Sequence, residues 1–288
     1  MIHLCSVSGL DAPGLEFYTK LSEVQLKRYF EPHGGLFIAE SPKVILRALD
    51  AGCQPVSLLL EDRHVQGEAA PVLARCSERA AAADLTAYTG PADVLTRLTG
   101  YALTRGVLCA MRRPSLRDAQ QMLADPGYSR IAVLENVMNP ANVGSIFRNA
   151  AALGLDAVLL TPGCSDPLYR RTLRVSMGTA LQIPWAWIGR DPEDWKQNGM
   201  RLLHAHGFRT IAMALRPDAV GIGSLCLEDG QRAAILLGAE GDGLLPETIR
   251  EADTVTMIPM MRGVDSLNVA AASAIAFYQI GRRAVRTE

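Results

Sequence analysis

The feature that most constrains the fold is a regular alternation of short apolar segments with helix-like segments. In the C-terminal half, six apolar runs predict strands: IAVL (131–134), DAVLL (156–160), IPWAWI (183–188), TIAMAL (210–215), AAILLG (233–238) and TVTMI (254–258). Strands that are apolar on both faces and alternate with helices are typical of a parallel sheet covered on both sides. The sequence therefore predicts an α/β protein whose ligands bind at the carboxyl ends of the strands.

A smaller unit with the same alternation precedes this region. Residues 35–111 contain four strand candidates separated by helical segments, the first of which is opened by Ser41 and Pro42. The next stretch is charged, bounded by prolines and without a strand candidate, although it has room for a short helix. We therefore predict a domain over residues 1–111, a linker over 112–127 and a second domain over 128–288.

Composition argues against several classes of protein. The chain has 288 residues, enough for two domains without disulfides, and its six cysteines form no C-x-x-C pair. Neither a metal site nor a disulfide framework is expected. The N-terminus has no signal-peptide pattern and no uncharged run matches a membrane span, so a cytoplasmic location without membrane contact is expected. The formal net charge of −1 indicates no global attraction to a polyanion.

Two loops that follow predicted strands contain unusual residues. The first, LENVMNPANVGSIFRNAAALG (134–154), leads into a helix that we expect Asn142 to cap. That helix places Arg148 among apolar residues, where its charge is poorly solvated unless it meets an anion; a snorkelling arginine is the alternative. The second loop, ILLGAEGDGLLPETI (235–249), is rich in glycine, which lets a ligand approach the backbone. It matches neither common nucleotide-binding loop, and a tight turn explains it equally well.

The third loop belongs to MIPMMRGVDSLNVAAASAIAFYQIG, residues 257–281. Its first part is broken by Pro259 and Gly263, whereas the part after Asp265 has no charged side chain and is rich in alanine. We expect Asp265 or Ser266 to cap the closing helix. Such a helix belongs in a core or in a subunit interface.

In combination, NPANVGSIFRNAAALG, LLGAEGDGL and IPMMRGVDSLNVAAASAI resemble the three motifs of the SpoU-type (TrmH-like) RNA ribose 2′-O-methyltransferases, a branch of the SPOUT superfamily. The resemblance covers about residues 128–282. It implies a parallel sheet with a C-terminal deep trefoil knot, S-adenosylmethionine as cofactor, no metal, and a homodimer with its active sites at the subunit interface. The N-terminal unit is similar in length and pattern to the L30e-like domain that many of these enzymes carry.

The resemblance also assigns roles by position. The implied cofactor contacts are Leu237, Gly238, Ile258, Met260, Ser266 and Leu267. The implied catalytic residues are Arg148, Asn142, Glu240, Ser266 and Asn268. RNA contacts are implied for Arg170, Arg171 and Arg174. Because a guanidinium stays protonated, Arg148 is expected to clamp a phosphate and stabilise charge on O2′ rather than act as a free base. Met261 and Arg262 depart from the family, which usually has small residues there.

The predicted function is therefore methylation of a ribose 2′-hydroxyl, in ribosomal RNA ahead of transfer RNA because the L30e-like domain favours structured RNA. A transfer-RNA ribose methyltransferase is one alternative. A catalytically silent RNA-binding protein is another, against which the intact Asn142, Arg148, Glu240 and Asn268 argue. A doubly wound dehydrogenase is disfavoured because the dinucleotide fingerprint is missing.

Overall fold

The structure is a computed structural model that describes residues 2–7, 14–29, 34–79, 84–101, 103, 106–228 and 230–281. By their internal contacts the residues divide into two units. The first comprises Met1–Ser115 and Leu168–Gln182, and the second comprises Leu116–Pro167 and Ile183–Glu288.

The regular elements are numbered in chain order. The strands are β1 Ile2–Ser6, β2 Leu36–Glu40, β3 Pro55–Glu61, β4 Leu85–Gly90, β5 Val107–Arg112, β6 Arg130–Leu134, β7 Ala157–Leu160, β8 Trp185–Trp187, β9 Phe208–Met213, β10 Val220–Gly221, β11 Arg232–Leu237 and β12 Thr254–Met257. The helices are α1 Glu16–Thr19, α2 Glu23–Lys27, α3 Pro42–Asp50, α4 Ala70–Arg79, α5 Ala92–Thr99, α6 Ala119–Ala124, α7 Pro140–Ala152, α8 Arg170–Val175, α9 Pro192–Asp194, α10 Met200–Ala205, α11 Pro246–Glu251 and α12 Val269–Ile280.

The first unit is built on a five-stranded sheet in the order β1-β4-β3-β5-β2. β1, β4 and β3 pair in parallel, whereas β5 is antiparallel to both of its neighbours. The four strands predicted between residues 35 and 111 are present. β1 was not predicted, and its residues after Ile2 are exposed, so it lacks the apolar pattern of a core strand.

The segment Leu168–Gln182 packs in this first unit, although the sequence prediction placed it in the second domain. Its main chain is held there by polar contacts: the Arg170 N–H donates to the Glu23 carboxylate at 2.8 Å. The Arg47 guanidinium donates to the Met177 carbonyl at 2.5 Å. These contacts join residues about 130 or more positions apart, and a local pattern of apolar residues carries no information about them.

The second unit is built on a seven-stranded sheet in the order β10-β12-β9-β11-β6-β7-β8, with every neighbouring pair parallel. The predicted parallel sheet is confirmed. α6, which lies in the predicted linker, buries Met122 and Leu123 in the core of this unit. The stretch from Leu116 onward is thus part of the second unit rather than a spacer.

Among the helices of the described residues, none has the length and apolar character that a membrane-spanning helix needs. All six cysteines are free thiols.

Candidate active site

A cavity of about 590 Å³ lies where β9, β11 and β12 end. Its walls come from the loops that follow these three strands and from the start of α12. Every residue predicted to contact the cofactor lines it: Leu237, Gly238, Ile258, Met260, Ser266 and Leu267. The structure therefore brings the second and third sequence motifs together around one space.

The loop after β11 presents its main chain to this cavity. The loop closes on itself, because Ala239 and Gly243 exchange two N–H···O hydrogen bonds of 3.1 Å. A Cβ atom on Gly238 would lie 2.2 Å from the carbonyl carbon of Gly243. Any larger residue at position 238 would push the two sides of the loop apart, so glycine is required there by the close approach of the backbone.

Glu135 anchors the far end of the same loop, and the sequence reasoning did not identify it. Its fully buried carboxylate accepts hydrogen bonds of 2.5 Å from the Leu245 N–H, the Thr248 hydroxyl and the Trp195 indole N–H. Three donors compensate the cost of burying this charge. The one available signal was a carboxylate placed directly after the buried strand β6.

Asn268 connects the three motifs. Its Nδ2 donates to Asn142 Oδ1 at 3.1 Å and also to Glu240 Oε1. Its Oδ1 accepts from the Ala270 N–H at 2.9 Å and so caps α12. The prediction that Asp265 or Ser266 caps this helix is wrong, because both precede the first helical turn in an exposed loop.

Asn142 is buried, with 7% of its surface exposed, and lies inside the first turn of α7. The prediction that it caps this helix is also wrong: Asn139 is the cap, and its side chain accepts from the Ala141 N–H at 2.9 Å. Asn142 Nδ2 is buried and has no hydrogen-bond partner among the described residues. Buried donors are rarely left unsatisfied, so an acceptor on a bound ligand fits this position.

α7 and α12 are joined by Asn149, whose amide donates to the Ala270 carbonyl at 2.8 Å and to Ser273 Oγ at 2.9 Å. Arg148, the neighbouring residue on α7, is exposed and does not line the cavity. The expectation that its charge is poorly solvated is therefore wrong. The structure gathers Asn142, Glu240, Ser266 and Asn268 at one site but leaves the Arg148 guanidinium in solvent.

The three arginines predicted to contact RNA belong to α8 in the first unit. Arg170 is engaged there: its Nε lies 2.9 Å from Glu40 Oε2, and its guanidinium stacks 4.0 Å above the Tyr101 ring. Arg171 and Arg174 are exposed. Of the three guanidinium groups, these two are presented to solvent.

The chemistry of the cavity fits S-adenosylmethionine. Among the described residues, the ionisable side chains that line it are all acidic: Glu240, Asp242 and Asp265. Carboxylates favour the positively charged sulfonium of this cofactor. Apolar side chains and main-chain groups suit its adenine. In the part of the chain that the structure describes, no group of His, Cys, Asp or Glu is arranged to hold a metal ion.

Comparison with known proteins agrees with this geometry. The model of the SpoU rRNA Methylase family matches residues 129–278. A tRNA/rRNA methyltransferase of Mycobacterium bovis, named as uncharacterized, is 40% identical over 270 residues, which cover 93% of this chain and 88% of the relative. A 23S rRNA (guanosine-2′-O-)-methyltransferase of Acinetobacter baylyi is 29% identical over 195 residues, which cover 66% of this chain and 76% of the relative.

Among solved structures, an AdoMet-bound rRNA methyltransferase from Sinorhizobium meliloti matches with a TM-score of 0.75 and 25% identity over 96% of this chain and 97% of that chain. The similarity thus extends over both units and includes a structure that holds the implied cofactor. The chain belongs to the SpoU rRNA Methylase family and is an S-adenosylmethionine-dependent RNA 2′-O-methyltransferase.

Proposed function

We propose that this enzyme methylates a ribose 2′-hydroxyl in ribosomal RNA. The observation that carries the proposal is the hydrogen-bonded set of Asn142, Glu240 and Asn268 beside a cavity that fits S-adenosylmethionine. The 23S rRNA methyltransferase among the relatives supports ribosomal RNA as the target. Transfer RNA is the second candidate, because the M. bovis relative is named for both kinds of RNA.

The bound cofactor supplies an electrophilic methyl group, and its transfer by in-line displacement needs alignment of the acceptor more than acid–base chemistry. The amide groups of Asn142 and Asn268 orient the ribose, and Glu240 fixes the rotamer of Asn268. Ser266 lines the cavity and completes the polar side of the site. Arg148 holds the neighbouring phosphate and stabilises negative charge on O2′, while the proton leaves to phosphate or water.

The active unit is a homodimer. Arg148 is exposed and does not line the cavity of its own chain, so its guanidinium is available to the acceptor ribose in the site of a neighbouring copy. α12 supports the same assembly, because Ile275 and Tyr278 are 39% and 63% exposed on a helix without charged residues. An exposed apolar face of this kind is typical of a subunit interface.

The proposal includes the C-terminal trefoil knot that membership of the family implies, with the loop after β11 kept tight by the close approach of Gly238 and Gly243. Arg171 and Arg174 contact RNA phosphates through an L30e-like unit. The six free cysteines favour a reducing, cytoplasmic environment.

The test is methyl transfer from labelled S-adenosylmethionine to RNA from cells that lack ribose methylation. Ribosomal and transfer RNA are separated afterwards, and resistance to alkaline cleavage maps the 2′-O-methyl position. We expect label in ribosomal RNA. Label confined to transfer RNA would overturn the assignment of the target, and no transfer together with no heat of cofactor binding would contradict the enzymatic role.

A further inference from the structure

The turn from Met261 to Val264 at the mouth of the cavity is not explained by the roles assigned above. The Val264 N–H donates to the Met261 carbonyl at 3.2 Å. The two central residues, Arg262 and Gly263, have φ values of +59° and +70°. Two successive positive φ angles are the signature of a type I′ turn, which favours Asn or Gly at its first central position. Arg262 is therefore held in a backbone conformation that an L-residue with a long side chain rarely adopts.

No contact among the residues that the structure describes accounts for the strained conformation of Arg262. Arg262 is exposed, and within the described residues it forms no ion pair or hydrogen bond through its side chain. Glycine would fit the turn without strain. A strained position whose side chain does nothing in the free protein points to a function that needs that side chain.

The position of Arg262 identifies what it can bind. Met260 and Asp265, on either side of the turn, line the cavity, whereas Arg262 does not. Arg262 is thus an exposed residue between two that line the cavity, and we place its guanidinium at the entrance. The carboxylates of Glu240, Asp242 and Asp265 at the cavity repel an incoming phosphate backbone, and a cation at the entrance offsets that repulsion.

We propose that Arg262 binds a phosphate of the RNA strand that carries the acceptor ribose. The planar guanidinium matches two phosphate oxygens at once, which fixes the strand in register as well as holding it. This inference rests on the proposed function, since it takes RNA as the molecule that approaches the cavity. It adds a substrate contact from the third motif, where the family usually has small residues.

The test compares full-length R262G and R262K with the wild type and with R201A as a control for loss of one positive charge. Arg201 is exposed on α10 and donates to the carbonyl of Gln197 and to Asn198, and it has no carboxylate partner among the described residues. R262G keeps the turn, so its thermal stability should equal or exceed that of the wild type.

For R262G we expect the KM for unmethylated 23S ribosomal RNA to rise about tenfold, with the Kd for S-adenosylmethionine unchanged, as removal of one charge-assisted contact implies. For a short fluorescein-labelled single-stranded RNA, the slope of log Kd against log salt concentration should decrease by about 0.7, the value of one phosphate contact. R262K should keep that slope and recover part of the KM. R201A should match the wild type.

Each outcome decides between the two proposals. If the wild type methylates RNA and R262G has the same KM and salt slope, the role of Arg262 is wrong and the proposed function stands. If the wild type transfers no methyl group but R262G reduces the salt slope, the phosphate contact stands and the proposed function falls. Equal weakening of cofactor and RNA binding by R262G would place Arg262 in the cavity wall and overturn the inference.

Discussion

At the scale of single residues, the structure contradicts the reason for which Arg148 was singled out, and its catalytic role stays a prediction. The sequence argument rested on poor solvation of its charge, yet the side chain is exposed. Because Arg148 does not line the chain's own cavity, we expect it to contact the substrate and not the cofactor. Arg148→Ala should lower kcat by about 10²–10³, the usual effect of removing one group that stabilises developing negative charge. Single-turnover kinetics measure the loss of methyl transfer, and calorimetry measures the affinity for S-adenosylmethionine, which should not change. Equal loss of transfer and cofactor affinity would contradict this role.

Asn268 performs two tasks that substitution can separate. Asn268→Ser keeps a side-chain oxygen able to cap α12 but removes the amide that donates to Asn142 and Glu240. Asn268→Ala removes both. We expect methyl transfer to fall sharply in both variants, whereas only the alanine variant loses the roughly 1 kcal/mol that an N-cap contributes to stability. Urea unfolding measures the difference, and equal stability of the two variants would show that the cap is not important here.

Cys164 provides a pH-dependent prediction. Burial raises the pKa of its thiol to about 11, although hydrogen bonds with the Val137 N–H and with Thr161 act in the opposite direction. A raised pKa keeps the thiol protonated, and therefore unreactive, until the pH approaches that value. In the native protein, iodoacetamide at pH 8 should label the exposed Cys5 and Cys226 well before Cys164. Mass spectrometry of peptides measures the order, and rapid labelling of Cys164 at pH 8 would contradict it.

At the scale of elements, the loop between β11 and α11 depends on one buried carboxylate. Glu135→Ala leaves the N–H of Leu245, the hydroxyl of Thr248 and the indole of Trp195 without their acceptor. Each unsatisfied buried donor costs about 1–3 kcal/mol, so the free energy of unfolding should fall by at least about 3 kcal/mol. Cofactor affinity should fall as well, because Leu244 beside this anchor lines the cavity. Glu135→Gln retains one acceptor, so its free energy of unfolding should lie between those of the wild type and of Glu135→Ala. Urea titration measures all three.

The sequence predicted strands more reliably than the ends of helices. Apart from Arg130 and Arg232 at the first positions of β6 and β11, the residues of β6, β7 and β11 are apolar on both faces, a pattern typical of strands buried on both sides. The cap of α7 was misassigned because Asn139 and Asn142 are both suitable, although Pro140 at the first helical position indicates Asn139. The hydrogen-bond partners of Glu135 and the placement of α8 were not predictable, since both depend on contacts between residues that are distant in the sequence.

At the scale of the whole molecule, the proposed homodimer predicts that each active site uses two chains. One subunit contributes the cavity with Asn268, and the other contributes Arg148 from α7. A mixture of two inactive variants tests this division directly. When Arg148→Ala and Asn268→Ser chains are unfolded together and refolded, each mixed dimer has one site with an intact cavity from the first variant and an intact arginine from the second. Mixed dimers make up half of a random mixture, so activity should return to about one quarter of the wild-type level.

The control for this complementation is Tyr278→Glu, which places a charge on the exposed face of α12. It should give a particle with the mass of a single 31.1 kDa chain by light scattering and no methyl transfer, because a separated chain has no arginine at its cavity. Folding of this variant is verified by circular dichroism, since a surface residue that is 63% exposed can be replaced without disturbing the core. If the mixture of the two variants stays inactive while both remain dimeric, each site is complete within one chain. Arg148 would then have to reach the cavity of its own subunit by a movement of α7.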